Sequence, residues 1–381
     1  MILTIIEGYV SEDKKYQNAF VHSRIKSYIQ NGIESKVFLF TSDSSKNDYT
    51  YEGVSVIVGG IVEMVKYINE NNIDCLCFHF FSSKMAKALH MTINKYPVCI
   101  FVHGNEALMW YERIFPDKMN GLIPFLKFIK YICTNIYNID KIRKFFKNNK
   151  DNIKIICVSE WMKNITIKNW KLDVSQISTT IIPNIINEEI FNYTIKDISQ
   201  RYNILLIRHF SNGKYALDIA MNVINKLANY EEFKQMNILI IGKGRLYKKY
   251  ISQVKMHPNV TFKEMFLTQS EISEIHKQNG IFLCPTRQDA QGVSMCEAMS
   301  SGLIPITSNN TAIPEFVPSE FNLALNTEDE MVKRIMEIIH SPELFLELSE
   351  KVSKYIHKKC SIKKTSMAEI YLMKEMVEKN G

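Results

Sequence analysis

Residues 281–299 read IFLCPTRQDAQGVSMCEAM, and this stretch decides how the second half of the chain folds. Its first four residues form an apolar run, which is typical of a short strand buried on both faces. A polar loop that contains Asp289 and Gly292 follows, and helical spacing starts near Ser294. Strand, loop and helix in this order form the repeating unit of a parallel, doubly wound sheet. The stretch therefore predicts an α/β domain.

The same alternation continues on both sides of this stretch. Further strands are predicted over Tyr202–Ile207, Asn237–Ile241, Val260–Phe262 and Ile304–Thr307. Helices are predicted over Tyr215–Leu227, Glu271–Gln278, Ser294–Ser301 and Asp329–His340. Such alternation favours parallel strands with helices on both faces of the sheet.

The first half of the chain repeats the pattern. Its strands are predicted over Met1–Ile6, Ser35–Phe40, Cys75–Phe81, Val98–Val102 and Ile153–Val158, and a helix over Lys15–Gln30. Because 381 residues exceed what one core usually serves, we expect two Rossmann-like domains, 1–187 and 188–364, facing a cleft. The last helix, 365–381, has no strand after it and is expected to pack back on the first domain.

Composition and charge limit the classes of function. The formal net charge of +7 suits phosphate ligands or an anionic membrane surface, or reflects a lysine-rich composition, and is too small to indicate nucleic-acid binding. The eight cysteines show no CxxC pair, so we interpret them as small buried side chains in a reducing cytoplasm. The N-terminus predicts a strand rather than a signal peptide, and no apolar run is long enough to cross a bilayer.

The segment 289–297 has the composition of a ligand site. Gly292 lets the backbone approach a phosphate, and the helix N-terminus that follows favours its negative charge. Glu297 could hold a ribose diol through two hydrogen bonds, and Asp289 could accept hydrogen bonds from sugar hydroxyls. The alternative for Glu297 is a capping box with Ser294, in which it only caps the helix.

Two cations follow the strand Tyr202–Ile207. Arg208 and Lys214 are the first and last residues of the loop RHFSNGK. Fixed cations at the carboxyl end of a buried strand suit a diphosphate, because they meet the charge that develops as it departs. The alternative is two solvated loop charges.

The second half resembles a known family. Asp289 and Glu297 frame an acid-x7-acid motif, and EAMSSGLIPI begins at Glu297. This passage resembles the EAMACGLPVV passage of the retaining glycosyltransferases of family 4. Further matches, in order, are His103-Gly104, Val158–Met162, Ile182–Asn184, Arg208 with Lys214, Ile241–Gly244, Val260–Phe262 and Ile313–Glu315.

The resemblance implies a GT-B fold, with a nucleotide-sugar donor held mainly by the second domain. By position, the donor-binding residues are Gly8, Arg208, Lys214, Gly242, Phe262, Lys263, Asp289, Gly292, Val293 and Glu297. Within this set, the amides of Gly292 and Val293 would face the sugar or a phosphate, and Phe262 and Lys263 would lie at the base edge.

The family also implies roles in the reaction for His103, Asp289, Arg208 and Lys214. Arg208 and Lys214 would bind the diphosphate, Glu297 the ribose, and Asp289 the hydroxyls of the donor sugar. His103 would reach across the cleft towards the reacting carbon. The first acid of the motif is Asp289 where the family usually has Glu, which leaves the identity of the sugar open.

The sequence contains no Asp-x-Asp motif to hold a metal on the diphosphate, so we expect neither a metal nor another cofactor. Retention of the anomeric configuration requires attack on the face of the sugar from which the leaving group departs. We favour a front-face process in which the departing phosphate oxygen accepts the acceptor's proton. In this process His103 positions or polarises the donor sugar and does not attack it.

The expected partners are a UDP- or GDP-sugar and a saccharide or lipid-linked saccharide acceptor, as in bacterial surface polysaccharide (O-antigen or capsule) assembly. The basic, apolar segment 122–150 either rests on the anionic inner face of the cell membrane or is a core helix with a solvated face.

The rival functions are an epimerase or phosphorylase of the same fold, a non-catalytic binding protein, and a nicotinamide enzyme suggested by Gly242-Lys243-Gly244. The last lacks a third small residue, since Tyr247 occupies its position.

Overall fold

The structure is a computed structural model that describes residues 1–14, 17–41, 47–92, 95–115 and 122–379, with only the backbone of residues 122–124. Contacts divide the chain into two compact units. The first consists of Met1–Arg113, Leu126–Ile185 and Ile362–Gly381, and the second of Ile114–Phe125 and Ile186–Ser361. Each unit is built around its own sheet.

The first unit contains an eight-stranded sheet. Its strands are β1 (Ile2–Ile6), β2 (Ser35–Phe40), β3 (Tyr49–Tyr51), β4 (Val54–Gly59), β5 (Cys75–His79), β6 (Val98–Val102), β7 (Ile153–Cys157) and β8 (Ser178–Ile181). They lie in the order β3-β4-β2-β1-β5-β6-β7-β8, and only β3 and β4 pair antiparallel. Every residue of β1, β5 and β6 is buried, as expected for strands covered by helices on both faces.

The helices of this half are α1 (Ala19–Gln30), α2 (Ile61–Glu70), α3 (Ser83–His90), α4 (Leu122–Asn148) and α5 (Glu160–Trp170). Lys15 and Tyr16, where the sequence predicts the start of the first helix, lie outside the described residues. Within the described part of the chain, no helix is both long enough and apolar enough to cross a membrane.

The second unit contains a six-stranded parallel sheet. Its strands are β9 (Asn203–Ile207), β10 (Asn237–Ile241), β11 (Val260–Lys263), β12 (Ile281–Leu283), β13 (Ile304–Ser308) and β14 (Ala324–Leu325), in the order β11-β10-β9-β12-β13-β14. Its helices are α6 (Leu217–Leu227), α7 (Tyr247–Ile251), α8 (Gln269–Lys277), α9 (Val293–Ser300), α10 (Ile313–Phe316), α11 (Glu328–His340) and α12 (Pro342–Cys360). The strand order reverses between β9 and β12, and ligands of doubly wound sheets bind at the carboxyl ends of strands at such a point.

The last helix, α13 (Ile362–Glu378), belongs to the first unit. Its residues Ile370 and Met373 pack in one buried cluster with Cys75 and Cys99 of the sheet. It also contacts α1. The first unit is therefore assembled from chain segments at both ends of the sequence.

The predicted α/β architecture of two doubly wound sheets is confirmed, whereas several edge elements were missed. β3 and β4 form a hairpin whose two connecting residues, Glu52 and Gly53, both have positive φ. β8 is a half-exposed edge strand with the polar sequence STTI, so it lacks the apolar run of a buried strand. The strand predicted over Cys75–Phe81 ends at His79, because Phe80 adopts a left-handed conformation with φ of 57°.

Candidate functional site

Arg208 directly follows β9 and joins two loops of the second unit. Its side chain is 8% exposed. Nη1 donates a hydrogen bond to the Ser294 hydroxyl at 2.5 Å, and Nη2 donates to the Cys284 carbonyl at 3.1 Å. Nε is buried without a hydrogen-bond partner among the described residues. The guanidinium is thus fixed between β12 and the start of α9, with one donor left over.

Lys214 lies in the same loop and shares an aromatic neighbour with Arg208. Its Nζ lies 4.7 Å from the centroid of the Tyr215 ring, and the Arg208 Cζ lies 5.7 Å from the same centroid. The Lys214 carbonyl accepts hydrogen bonds from the loop after β12, at the Arg287 amide (2.7 Å) and the Thr286 hydroxyl (3.1 Å). In the described ranges no carboxylate pairs with Lys214, whereas Arg287 pairs with Asp218 at 2.5 Å. The structure therefore brings both predicted cations together and leaves the charge of Lys214 uncompensated.

Gly242, at the end of β10, permits the backbone turn at Arg208. A Cβ atom on Gly242 would lie 1.9 Å from the Arg208 carbonyl oxygen, which no side chain tolerates. The Gly242 amide donates a hydrogen bond to the Lys263 carbonyl at 3.1 Å. In this structure Gly242 shapes the Arg208 loop through a close backbone approach.

The start of α9 differs from the sequence prediction in two respects. The helix begins at Val293, one residue before the predicted start near Ser294, and Glu297 is its fifth residue, in the second turn. The alternative capping box is wrong as well, because Gly292 is the N-cap residue and the Ser294 hydroxyl accepts the Arg208 hydrogen bond. Burial raises the pKa of Glu297 to about 7, and Gln269 Nε2 lies 3.4 Å from its Oε1.

Asp289 organises the loop before this helix. Its Oδ1 accepts hydrogen bonds from the backbone amides of Gln291 (3.3 Å) and Gly292 (2.8 Å). In this structure the Gly292 amide therefore donates within the loop, and its role as a donor to sugar or phosphate stays a prediction. The Val293 amide remains a candidate donor, because the first N–H groups of a helix have no acceptor within the helix. Asp289 Oδ2 has no hydrogen bond in the part of the chain that is described.

Phe262 and Lys263, predicted at the base edge, are the last two residues of β11. Beyond the strand, Phe266 is 48% exposed and packs against His209, with ring centroids 5.2 Å apart and an angle of 36° between the ring planes. Burial, and then the charge of Lys214, lower the pKa of His209. Sequence reasoning missed this aromatic pair, although the position of His209 directly after Arg208 was a usable signal.

His103 and Gly8 belong to the first unit, at the carboxyl ends of β6 and β1. The His103 Nε2 lies 2.8 Å from His79 Nδ1, and its backbone amide donates a hydrogen bond to Glu106 Oε1 at 2.5 Å. Burial, followed by the charge of Arg24, holds the pKa of His103 well below its usual range, so the imidazole is neutral. A Cβ on Gly8 would lie 2.4 Å from Gln17 Nε2, the mobile end of a long side chain, so Gly8 borders the Gln17 side chain.

Comparisons with known proteins bear on the family and the fold of the chain. Residues 196–359 match the family described as glycosyl transferases group 1. Among curated proteins, the chain is 24% identical over 234 residues to the phosphatidylinositol N-acetylglucosaminyltransferase GPI3 subunit of Saccharomyces cerevisiae, which covers 58% of this chain and 50% of that protein. The chain thus spans about half the length of the curated relatives it matches. The match of residues 196–359 supports a group 1 glycosyltransferase.

Solved structures resemble the whole chain. Sucrose-phosphate synthase from Thermosynechococcus elongatus aligns with a TM-score of 0.75 at 12% identity and covers 98% of both chains. A glycosyltransferase from Rickettsia africae gives 0.70 at 14% identity, with 99% and 98% of the chains covered. Anabaena Alr3699/HepE in complex with UDP and glucose gives 0.67 at 13% identity, with 98% and 99% covered. The chain therefore has the two-domain GT-B fold.

Proposed function

We propose that this protein is a glycosyltransferase that moves a sugar from a nucleoside diphosphate to an acceptor. The observation that carries the proposal is the placement of Arg208 and Lys214 beside one ring, Tyr215, at the point where the strand order reverses. Two cations and the start of α9 provide the fixed positive field that a departing diphosphate requires. The match of residues 196–359 to the glycosyl transferases group 1 supports the same chemistry.

We further propose that the reaction retains the configuration of the anomeric carbon and needs no divalent metal, as the resemblance to family 4 implies. The bond from the anomeric carbon to the phosphate oxygen breaks while the acceptor oxygen bonds to the same face of that carbon. The acceptor's proton passes to the departing phosphate oxygen, whose charge Arg208 and Lys214 neutralise. Asp289 Oδ2 would hold a sugar hydroxyl, and the neutral His103 would position the sugar rather than attack it.

The donor in this proposal is a UDP- or GDP-sugar. The exposed ring pair of His209 and Phe266 offers aromatic surface next to the Arg208 loop, on which a nucleobase could stack. Solved structures of Anabaena Alr3699/HepE and of a TarM mutant from S. aureus contain UDP. The acceptor would be a saccharide or a lipid-linked saccharide of a bacterial surface polysaccharide.

A lipid-linked acceptor would bring the protein to a membrane surface, and α4 has the side chains for such a contact. Its exposed apolar residues are Phe125, Leu126, Ile129, Ile136 and Tyr137. Lysines 127, 130, 141, 144 and 147 lie on the same helix, and each cation near an anionic surface contributes about 1 kcal/mol. Co-sedimentation with phosphatidylserine vesicles should exceed that with phosphatidylcholine vesicles, and equal recovery with the two would contradict the contact.

The test of the function is a panel of nucleotide sugars in EDTA. A bound donor raises the unfolding temperature by mass action, by the equivalent of about 2.7 kcal/mol at a hundred times its Kd. At least one UDP- or GDP-sugar should do so, and radiolabelled sugar should then appear in a glycoside. An epimer or a sugar 1-phosphate as product would favour the epimerase or phosphorylase alternative. Stabilisation without turnover would indicate a non-catalytic binding protein.

The pKa of Glu297 predicts how donor affinity depends on pH. A ribose diol donates to the carboxylate, so binding requires the ionised form, whereas the free protein is half protonated at about pH 7. Donor affinity should therefore fall as the pH drops below about 7, by up to tenfold per pH unit. Calorimetric titration with the nucleotide sugar between about pH 5.5 and 8.5 measures this slope. The Glu297→Gln variant should bind the donor more weakly, and its affinity should no longer depend on pH in this range. An equal pH slope in the variant would rule out a role of Glu297 in binding the ribose.

A further inference from the structure

Three cysteines of the first unit meet on one face of its sheet. Cys75 and Cys77 are two residues apart on β5 and therefore point to the same face. Cys99 on β6 is the register partner of Cys77. All three are fully buried, and their sulfur atoms lie within 4.8 Å of one another. The cluster lies towards the amino ends of β5 and β6, whereas His79 and His103 lie at the carboxyl ends.

Two methionines of α13 cover this thiol cluster. The Met373 sulfur lies 3.4 Å from Cys77 Sγ, and the Met376 sulfur lies 3.7 Å from Cys99 Sγ. Cys75 Sγ and Cys99 Sγ are 4.0 Å apart. Three thiols thus lie close together in the core, and a thioether from α13 lies beside two of them.

The spacing fits one metal ion. Bonds from zinc to thiolate sulfur are about 2.3 Å long, so three sulfurs around an ion in a trigonal plane would be separated by about 4.0 Å. Thiolate and thioether ligands select soft ions such as Cu(I), whereas carboxylate or imidazole ligands would favour harder ones. All five side chains of this cluster offer sulfur, and none offers nitrogen or oxygen.

An ion could reach the cluster through a neighbouring cavity. The cavity has a volume of about 380 Å³ and is lined by Cys75 and Met373 together with Ile33, Asp74 and Ile370. It adjoins the amino ends of β1 and β5, so entry would not pass the carboxyl ends of the strands.

We propose that Cys75, Cys77 and Cys99, with the thioethers of Met373 and Met376, bind one soft monovalent cation, for which Cu(I) is the fitting ion. The thiols that coordinate the ion release their protons to solvent, and no electron is transferred. This assignment replaces the interpretation of these cysteines as inert apolar filling. It is independent of the glycosyltransferase proposal, because no residue of the donor site takes part.

Anaerobic titration of the full chain with Cu(I) tests the site. Because Cys133 is an exposed thiol, all proteins carry Cys133→Ser. This background should retain one Cu(I) per chain after desalting in the presence of a Cu(I) chelator, with the ultraviolet absorption of a thiolate–copper bond. Cys77→Ala with Cys99→Ala should retain less than a tenth of that amount. The control, Cys157→Ala, removes another buried thiol of the same unit and should bind as the background does.

A second double variant guards against misfolding of the cysteine variant. Met373→Leu with Met376→Leu keeps the volume of the core and removes only the thioethers. We expect it to weaken Cu(I) affinity by about tenfold in competition with the chelator, with unchanged circular dichroism. No Cu(I) retained by the background, preference for Zn(II), or equal affinity in the methionine variant would overturn the proposal.

Discussion

Replacing Lys214 with alanine is expected to lower turnover of the nucleotide sugar by about 10²–10³-fold, the usual cost of removing one preorganised group that stabilises developing charge. Lys214 has no carboxylate partner among the described residues, and its Nζ lies beside the ring that also contacts Arg208. Its charge is therefore available to a departing phosphate. The same variant should lose the thermal stabilisation by the donor, measured in EDTA beside the initial rate of transfer.

The matched control for this prediction is Lys226→Ala. Lys226 lies on the helix that follows the Lys214 loop, and its ammonium pairs with Asp329 at 2.7 Å. Because the charge of Lys226 is already compensated, its removal should leave the rate of sugar transfer and the thermal stabilisation by the donor unchanged. A Lys214 variant as fast as the unchanged protein would contradict the phosphate assignment, and an equal loss of rate in both variants would indicate a general effect of net charge.

The second sheet could be predicted from the sequence because its central strands are largely buried, β12 and β13 throughout and β9 at its three middle residues. Asn237–Ile241 is an almost uninterrupted apolar run, and the strand has the predicted bounds. The hairpin of β3 and β4 was missed because its residues alternate polar with apolar and its turn depends on backbone conformations at Glu52 and Gly53. Edge strands are half solvated, so they lack the continuous apolar signal of central ones.

The candidate site was predictable where the residue itself follows a buried strand. Arg208 comes directly after β9, so predicting the end of that strand also places Arg208 at the carboxyl end of the sheet. The bonding of Asp289 and Ser294 was not predictable, because a capping box and an Asx-type loop compete for the same few donors. The contact of His209 with Phe266 joins loops 57 residues apart by number, which local spacing cannot reveal.

The largest expected effect on stability comes from one buried ion pair of the first unit. Arg24 Nε donates to both carboxylate oxygens of Glu369, at 2.8 and 2.9 Å, and both side chains have no solvent exposure. The Tyr28 hydroxyl also donates to Glu369 at 2.5 Å. The pair joins α1 to α13 across 345 residues of sequence. Glu369→Gln leaves the Arg24 charge uncompensated and should cost about 3–5 kcal/mol of unfolding free energy.

Tryptophan fluorescence during urea unfolding isolates this effect. The chain has three tryptophans, Trp110, Trp161 and Trp170, and all lie in the first unit. The signal therefore follows that unit even if the two units unfold separately. The control, Glu347→Gln, removes one partner of an exposed pair with Lys351 and should change the unfolding free energy by less than about 1 kcal/mol.

Replacing both partners separates the cost of an unpaired charge from the net contribution of the pair. Arg24→Met combined with Glu369→Leu leaves no buried charge, so it should recover part of the stability that Glu369→Gln loses. Arg24 Nη1 and Nη2 have no hydrogen-bond partner in the described chain, which makes Glu369 the group that compensates this guanidinium. A double variant less stable than Glu369→Gln would mean that the pair, through its bonds between α1 and α13, stabilises the unit more than apolar packing does.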